Sequence, residues 1–281
     1  MPAEIAPGVY TLDHRVVEGK NAVLFGARGA LAIDCGTDPD EGRASLNLVK
    51  GRRPESLWLA MTHCHGDHAL GSAAFREMGC EVIAHDAFAS NLRRHLARRA
   101  SREDGVSEEE MEGRLVWPTV TFSDELRLDL GGKTLRFLHT PGHSADSCCV
   151  FLEEEKILFG GDTVVTCIPP AFGDGDSREM EDSLGRLREL PAETLVPGHG
   201  PVLRGAGPIR THLEWLMGYV RGTREAVERT RRRDQGEWVE AALTEAPAER
   251  LYGPHIDMER HRNEGRHRAT VMKLVEELAP R

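Results

Sequence analysis

The sequence predicts an α/β fold of stacked layers closed by a helical C-terminal extension. Three observations carry this. Short β-type runs punctuated by Gly, Asp or Pro fill the first two thirds of the 281 residues. Stretches with helical spacing fall between those runs, and beyond Gly207 the strand signals stop and long helical patterns take over.

The β-type runs start with 8–14, 21–26, 30–36, 56–63 and 81–85 and continue with 119–122, 125–132, 133–139, 148–155, 156–162 and 194–200. Gly131-Gly132 separates two of them and predicts a tight hairpin turn, because glycine enters the positive-φ region without a steric penalty. Helical patterns occupy 40–50, 69–78, 86–99, 107–114 and 177–190, and then 209–233, 237–246 and 258–279. This divides the chain into a body over 1–207 and a helical extension over 208–281 packed on it, with no internal repeat.

Composition excludes several classes. The formal charge of −10 argues against a nucleic-acid partner, which would need a coherent basic face. The basic runs 93–102 and 229–234 sit beside acidic stretches and read as solvated helix faces. No apolar run approaches the ~20 residues of a membrane span. The N-terminal "MPAEIAPGVYTLDH" has no basic start and no apolar core of signal-peptide length. Cysteines 35, 64, 80, 148, 149 and 167 lack paired spacing and read as reduced thiols. The expectation is a cytoplasmic protein that acts on a small molecule, with neither nucleic acid nor membrane as partner; the tail offers a surface for a homo-oligomer.

The chemistry concentrates in "MTHCHGDH", residues 61–68. His63 and His65 are two apart, so in an extended segment both side chains lie on one side and Cys64 points to the other. Gly66 then allows a turn that brings Asp67 and His68 round as a second pair. Imidazole and carboxylate donors suit zinc, and iron or manganese as well. Three further loops, each after an apolar run, add His143 ("HTPGHSADS"), Asp162 ("LFGGDTV") and His199 ("LVPGHGP").

This set, His63-x-His65-x-Asp67-His68 with His143, Asp162 and His199, resembles the metallo-β-lactamase fold superfamily over roughly 8–203. The resemblance implies a four-layer αββα sandwich and seven filled ligand positions for two Zn²⁺ per chain. His63, His65 and His143 would hold one ion, Asp67, His68 and His199 the other, and Asp162 would bridge them. Asp34 falls at the family's buried supporting aspartate, and Thr62 and Ser144 are further candidates for orienting ligands. Two ions ~3.5–4 Å apart can share a hydroxide and aim it at a carbonyl or phosphoryl centre, with Asp67 as proton acceptor. The expected function is a dinuclear hydrolase of ester, thioester, lactone or amide-like bonds.

Within the superfamily, the bridging aspartate and the absence of an export signal argue against a dedicated β-lactamase. The segment after Asp162 lacks the Gly-Arg or Gly-Lys of glyoxalase II and the persulfide dioxygenases, and no tyrosine lies between Asp162 and His199 as in the lactonases. Tyr219 or Tyr252 of the tail would have to substitute. His255, His261 and Asn263 are the tail residues placed to reach a substrate. Two other readings use the same histidines: a mononuclear non-haem iron oxidoreductase of the persulfide dioxygenase kind, and a metal-stabilised binding protein without turnover.

Overall fold

The computed structural model describes residues 2–101, 107–232, 234–251, 256–257 and 259–279. The first sheet contains β1 (Ala3–Ala6), β2 (Val9–Asp13), β3 (Lys20–Gly26), β4 (Gly29–Ile33), β5 (Leu57–Ala60), β6 (Glu81–His85) and β7 (Val120–Phe122), lying side by side in chain order. Neighbours are antiparallel up to β4 and parallel from β4 to β7. The second sheet runs β13-β12-β11-β10-β9-β8, from β8 (Glu125–Asp129), β9 (Thr134–His139), β10 (Cys148–Leu152), β11 (Ile157–Phe159) and β12 (Thr194–Val196) to β13 (Leu203–Arg204). The helices are α1 (Pro39–Arg52), α2 (Gly66–Ala69), α3 (Phe88–Ala100), α4 (Glu108–Arg114), α5 (Ser177–Arg188), α6 (Ala206–Arg229), α7 (Gln235–Glu245), α8 (Ala248–Leu251) and α9 (Asn263–Leu278).

Three apolar clusters fill the three gaps between four layers. Ala22, Leu24, Leu31, Ile33, Phe137 and Val150 pack the two sheets together. On the outer face of the first sheet, Val23, Ala32, Leu59 and Val82 meet Leu46 and Val49 of α1 and Phe88 and Leu92 of α3. On the outer face of the second sheet, Phe151 and Leu158 meet Met180 and Leu184 of α5 together with Leu216, Trp238 and Leu274 of the tail helices. The period-2 alternation of strands makes this possible: Cys148, Val150 and Leu152 point between the sheets, while Cys149 and Phe151 point to the helices. The expected αββα sandwich is therefore the fold, and the tail shares one apolar cluster with the body.

Local expectations were met with shifts at the ends. Gly131 and Gly132 both have φ of +80° and turn β8 into β9, with the Leu130 amide donating to the Lys133 carbonyl at 2.9 Å. The run expected over 56–63 pairs only as Leu57–Ala60, because the Thr62 amide donates to the Asp34 carboxylate at 2.8 Å instead of extending the ladder. The helix expected over 69–78 is a 3₁₀ segment, Leu70–Met78, behind the short α2. Among the described residues, no helix is long and apolar enough to cross a membrane.

Candidate metal centre

The ends of β5, β9, β11 and β12 converge at one edge of the two sheets, and each strand is followed by a loop that carries ligand-type side chains. His63 and His65 follow β5, His65 in extended backbone, and Cys64 between them is buried in the apolar cluster below the first sheet. Gly66 does not make the turn that the sequence suggests, since it has no positive φ and begins α2. A Cβ there would lie 2.9 Å from Leu70 Cδ1 and 3.3 Å from His95 Nε2, so a larger residue would require the Leu70 side chain to shift.

The side chains form two ligand groups, His63, His65, His143 and Asp162, and Asp67, His68 and His199, with the ligand atoms of each group within 4.8 Å of one another. Asp162 faces both. Its Oδ2 lies 3.6 Å from His143 Nε2 and 3.9 Å from His63 Nε2, while its Oδ1 lies 3.1 Å from His68 Nε2 and 3.3 Å from His199 Nε2. Gly198 permits this position, because a Cβ there would stand 2.1 Å from Asp162 Oδ1.

Every histidine of the set is held by the nitrogen that faces away from the centre. His63 Nδ1 lies 3.1 Å from Thr62 Oγ1, His65 Nε2 3.0 Å from Asp174 Oδ2, and His68 Nδ1 2.9 Å from Asp34 Oδ2. His143 Nδ1 meets the Ala171 carbonyl at 2.7 Å, and His199 Nδ1 the Val17 carbonyl at 3.0 Å. These contacts fix the tautomers and aim the other nitrogens inward, as metal sites require. Asp34 sits at φ +56° and also accepts from Thr62 Oγ1 at 2.7 Å, so one buried carboxylate orients both halves of the motif.

The two groups differ in proton preference. Burial pushes His63 well down and His143 down to about 4, so both imidazoles stay neutral. Burial also opposes charge on His68 and His199, but Asp162 and its neighbouring carboxylates outweigh it, raising His68 well above its ordinary value and His199 to about 9. Asp67 and Asp162 resist burial likewise and are held well below the carboxylate range by those histidines. The donor set fits a pair of divalent cations: His63 Nε2 is buried with no hydrogen-bond partner, and two carboxylates balance part of the charge.

A profile of the Metallo-beta-lactamase superfamily matches residues 15–199, well over half of the chain and all seven of these side chains. The chain belongs to the metallo-β-lactamase superfamily. Superfamily relatives include an atrochrysone carboxyl ACP thioesterase of Aspergillus fumigatus, 27% identical over 71% of this chain and 43% of that protein. A hydroxyacylglutathione hydrolase of Rhizobium meliloti is 29% identical over 60% of this chain and 58% of its own. The chain thus spans about half the length of these curated relatives. A solved metallo-beta-lactamase family protein of Thermus thermophilus superposes with a TM-score of 0.69 at 21% identity, covering 98% of this chain and 95% of that one, so the superfamily likeness in fold includes the tail.

The remaining sequence candidates are placed as follows. Thr62 and Asp34 touch ligands, whereas the Ser144 hydroxyl bonds Ser147 Oγ at 2.8 Å and touches none of the seven. His261 bonds Glu18 at 2.9 Å, and buried Asn263 donates to the carbonyls of Cys167 and Asp257, so both brace the tail against the body and are absent from the cavity wall. His255 and Tyr252 lie outside the described residues. Tyr219 is buried against His267 Nδ1 at 2.9 Å, away from the centre. His212 meets the Val165 carbonyl at 2.8 Å and so ties α6 to the loop after Asp162. Sequence reasoning missed Asp174 and Arg266, and also His14, whose buried ring stands 5.8 and 5.9 Å from those of His68 and His199. The carbonyls of Val17 and Ala171 left no signal to find, since any residue supplies one.

Proposed function

We propose that the chain is a metal-dependent hydrolase, using two zinc ions held by His63, His65 and His143, by Asp67, His68 and His199, and by Asp162 between them, to cleave an ester, thioester, lactone or amide-like bond of a small molecule. The observation that carries this reading is Asp162, whose two oxygens face different histidine groups. When bound, such ions supply Lewis acidity, polarising the scissile group and acidifying water.

The protein contributes position and exclusion. A cavity of about 190 Å³ opens on the ligands, walled by Val16, Val17, Val165, Ile168 and Pro169, which keep bulk water from the reacting group. The outward hydrogen bonds of the five histidines hold their inner nitrogens in place without reorganisation. Asp67 stays ionised across the working pH range, which suits a ligand; as a proton acceptor it is weak. Relatives named as a thioesterase and a hydrolase support bond hydrolysis as the reaction type.

Protein purified without chelator is expected to carry close to two zinc ions and to turn over members of a panel of esters, thioesters, lactones and β-lactams, with turnover lost in His199→Ala. One iron per chain with oxygen-dependent turnover would replace this reading by the oxidoreductase. Full metal content with no turnover across the panel would leave a binding protein.

A further inference from the structure

Two cavities of opposite character meet at the metal ligands. His65 and Asp67 belong to the walls of both the 190 Å³ cavity and a wider cleft of about 600 Å³. The first is lined by aliphatic side chains with Arg266 as its added cation. The second has no aliphatic wall: beyond the two ligands and Gly66 it is formed by His95, Arg98, Arg99 and Asp174. Past His95, Arg98 and Asp174, which it shares, the cleft continues into a pocket of about 220 Å³ where Arg94 and Lys273 stand.

Helix geometry concentrates this charge. Arg94 and Arg98 are four apart on α3, as are His95 and Arg99, so neighbouring turns present them together. Lys273 comes from α9, on the far side of the same pocket. Apart from the ligand Asp67, Asp174 is the one acid of these walls, and its two oxygens are engaged by Arg98 at 2.6 Å and His65 at 3.0 Å. Arg94 bonds the neutral Asn91 side chain and, among the described residues, pairs with no carboxylate. In a chain of net charge −10, such a trough leading to a metal site favours an anion with several oxygens.

We propose that the substrate is bipartite: an acyl group enters the aliphatic cavity, and a leaving group that carries phosphate lies along the cleft of Arg94, Arg98 and Lys273. This rests on the hydrolase reading and narrows it to phosphate-bearing thioesters or esters. Water adds across the acyl–sulfur bond, its oxygen joining the acyl carbon and one hydrogen ending on the departing sulfur. The products are a carboxylic acid and a thiol that keeps its phosphate.

The test compares two thioesters on the zinc-loaded protein, acetyl-coenzyme A and acetyl-pantetheine, which share the reacting bond and differ in the phosphorylated adenosine that only the first carries, so that the salt dependence and the variants below assign any preference to the phosphates. At low salt, kcat/KM should favour the coenzyme A ester by at least about tenfold, mainly through KM, and added salt should erode the preference. Arg94→Gln with Lys273→Gln should bring the ratio towards one, whereas Arg94→Lys should preserve it. Equal turnover of the two esters, or an intact ratio in the double variant, overturns the proposal. If neither ester is cleaved, the thioester assignment fails, the hydrolase reading is decided by the wider panel, and calorimetry with coenzyme A decides on the cleft. Salt-sensitive binding weakened about tenfold in the double variant supports it, and no binding overturns it.

Discussion

The two halves of the metal centre are built from the same residue types but prepared for an ion in different ways. His63 and His143 are neutral because burial discourages their charge. His68 and His199 sit among Asp34, Asp67 and Asp162, which stabilise their protonated forms. An ion entering the first group meets free lone pairs, whereas one entering the second must displace protons. The carboxylates that give the second group its attraction for cations therefore also give it a pH dependence that His63 and His143 do not add to the first.

The largest expected effect comes from removing the shared geometry. His63→Ala removes one of the two histidines that face Asp162 Oδ2 on the first side and should cut turnover by more than about 100-fold, with zinc falling below one ion per chain by elemental analysis. A variant that lost the first ion and kept the second at full occupancy would show that the groups fill independently. Next in size is Asp34→Asn, which weakens the hold on His68 and Thr62. The second ion should lose about 10–100-fold in affinity by chelator competition, more than the first loses. Equal losses would erase the contrast.

The pH dependence sharpens it further. His199 is raised to about 9, so below that pH it carries a proton that zinc must expel, and affinity for the second ion should fall about tenfold per pH unit for each proton displaced. His143, lowered to about 4, gives the first ion no such slope from that residue until pH nears that value. Titrating zinc calorimetrically in buffers of different ionisation enthalpy counts the released protons, and a release shared equally between the two ions would contradict the assignment. The smallest effect belongs to Cys64→Ser: metal content should stay at the wild-type level, while stability falls by about 1–3 kcal/mol in urea titration, because a hydroxyl replaces a thiol in an apolar cluster.

What the sequence revealed follows the same division. Ligands declare themselves through residue type and spacing, so His63 to His68, His143, Asp162 and His199 could be read directly, and the alternation of β5 told Cys64 from its neighbours. Strand periodicity likewise exposed β2 to β12, and helical spacing the tail helices, whereas the two-sheet arrangement came from the family likeness and the short β1 and β13 went unseen. Orientation was harder to read. Asp34 came from a family likeness, but Asp174 lies 109 residues from the His65 it holds, in a stretch of Gly and Asp that reads as ordinary loop. Ser144 sits next to a ligand in sequence yet turns to Ser147, because hydroxyls within a tight loop satisfy one another first. Proximity along the chain was a poor guide to contact; residue chemistry was a good one.

Glu18 pairs with Arg260 and His261, the latter 243 residues away, and its neighbour Val17 holds His199 through its carbonyl. The same loop is also tied to the His199 loop by the main chain, the Lys20 amide donating to the Gly198 carbonyl at 2.9 Å and the Gly200 amide to the Glu18 carbonyl at 3.0 Å. The body therefore sets the aim of His199, and the tail adds a side-chain clasp that resists its opening.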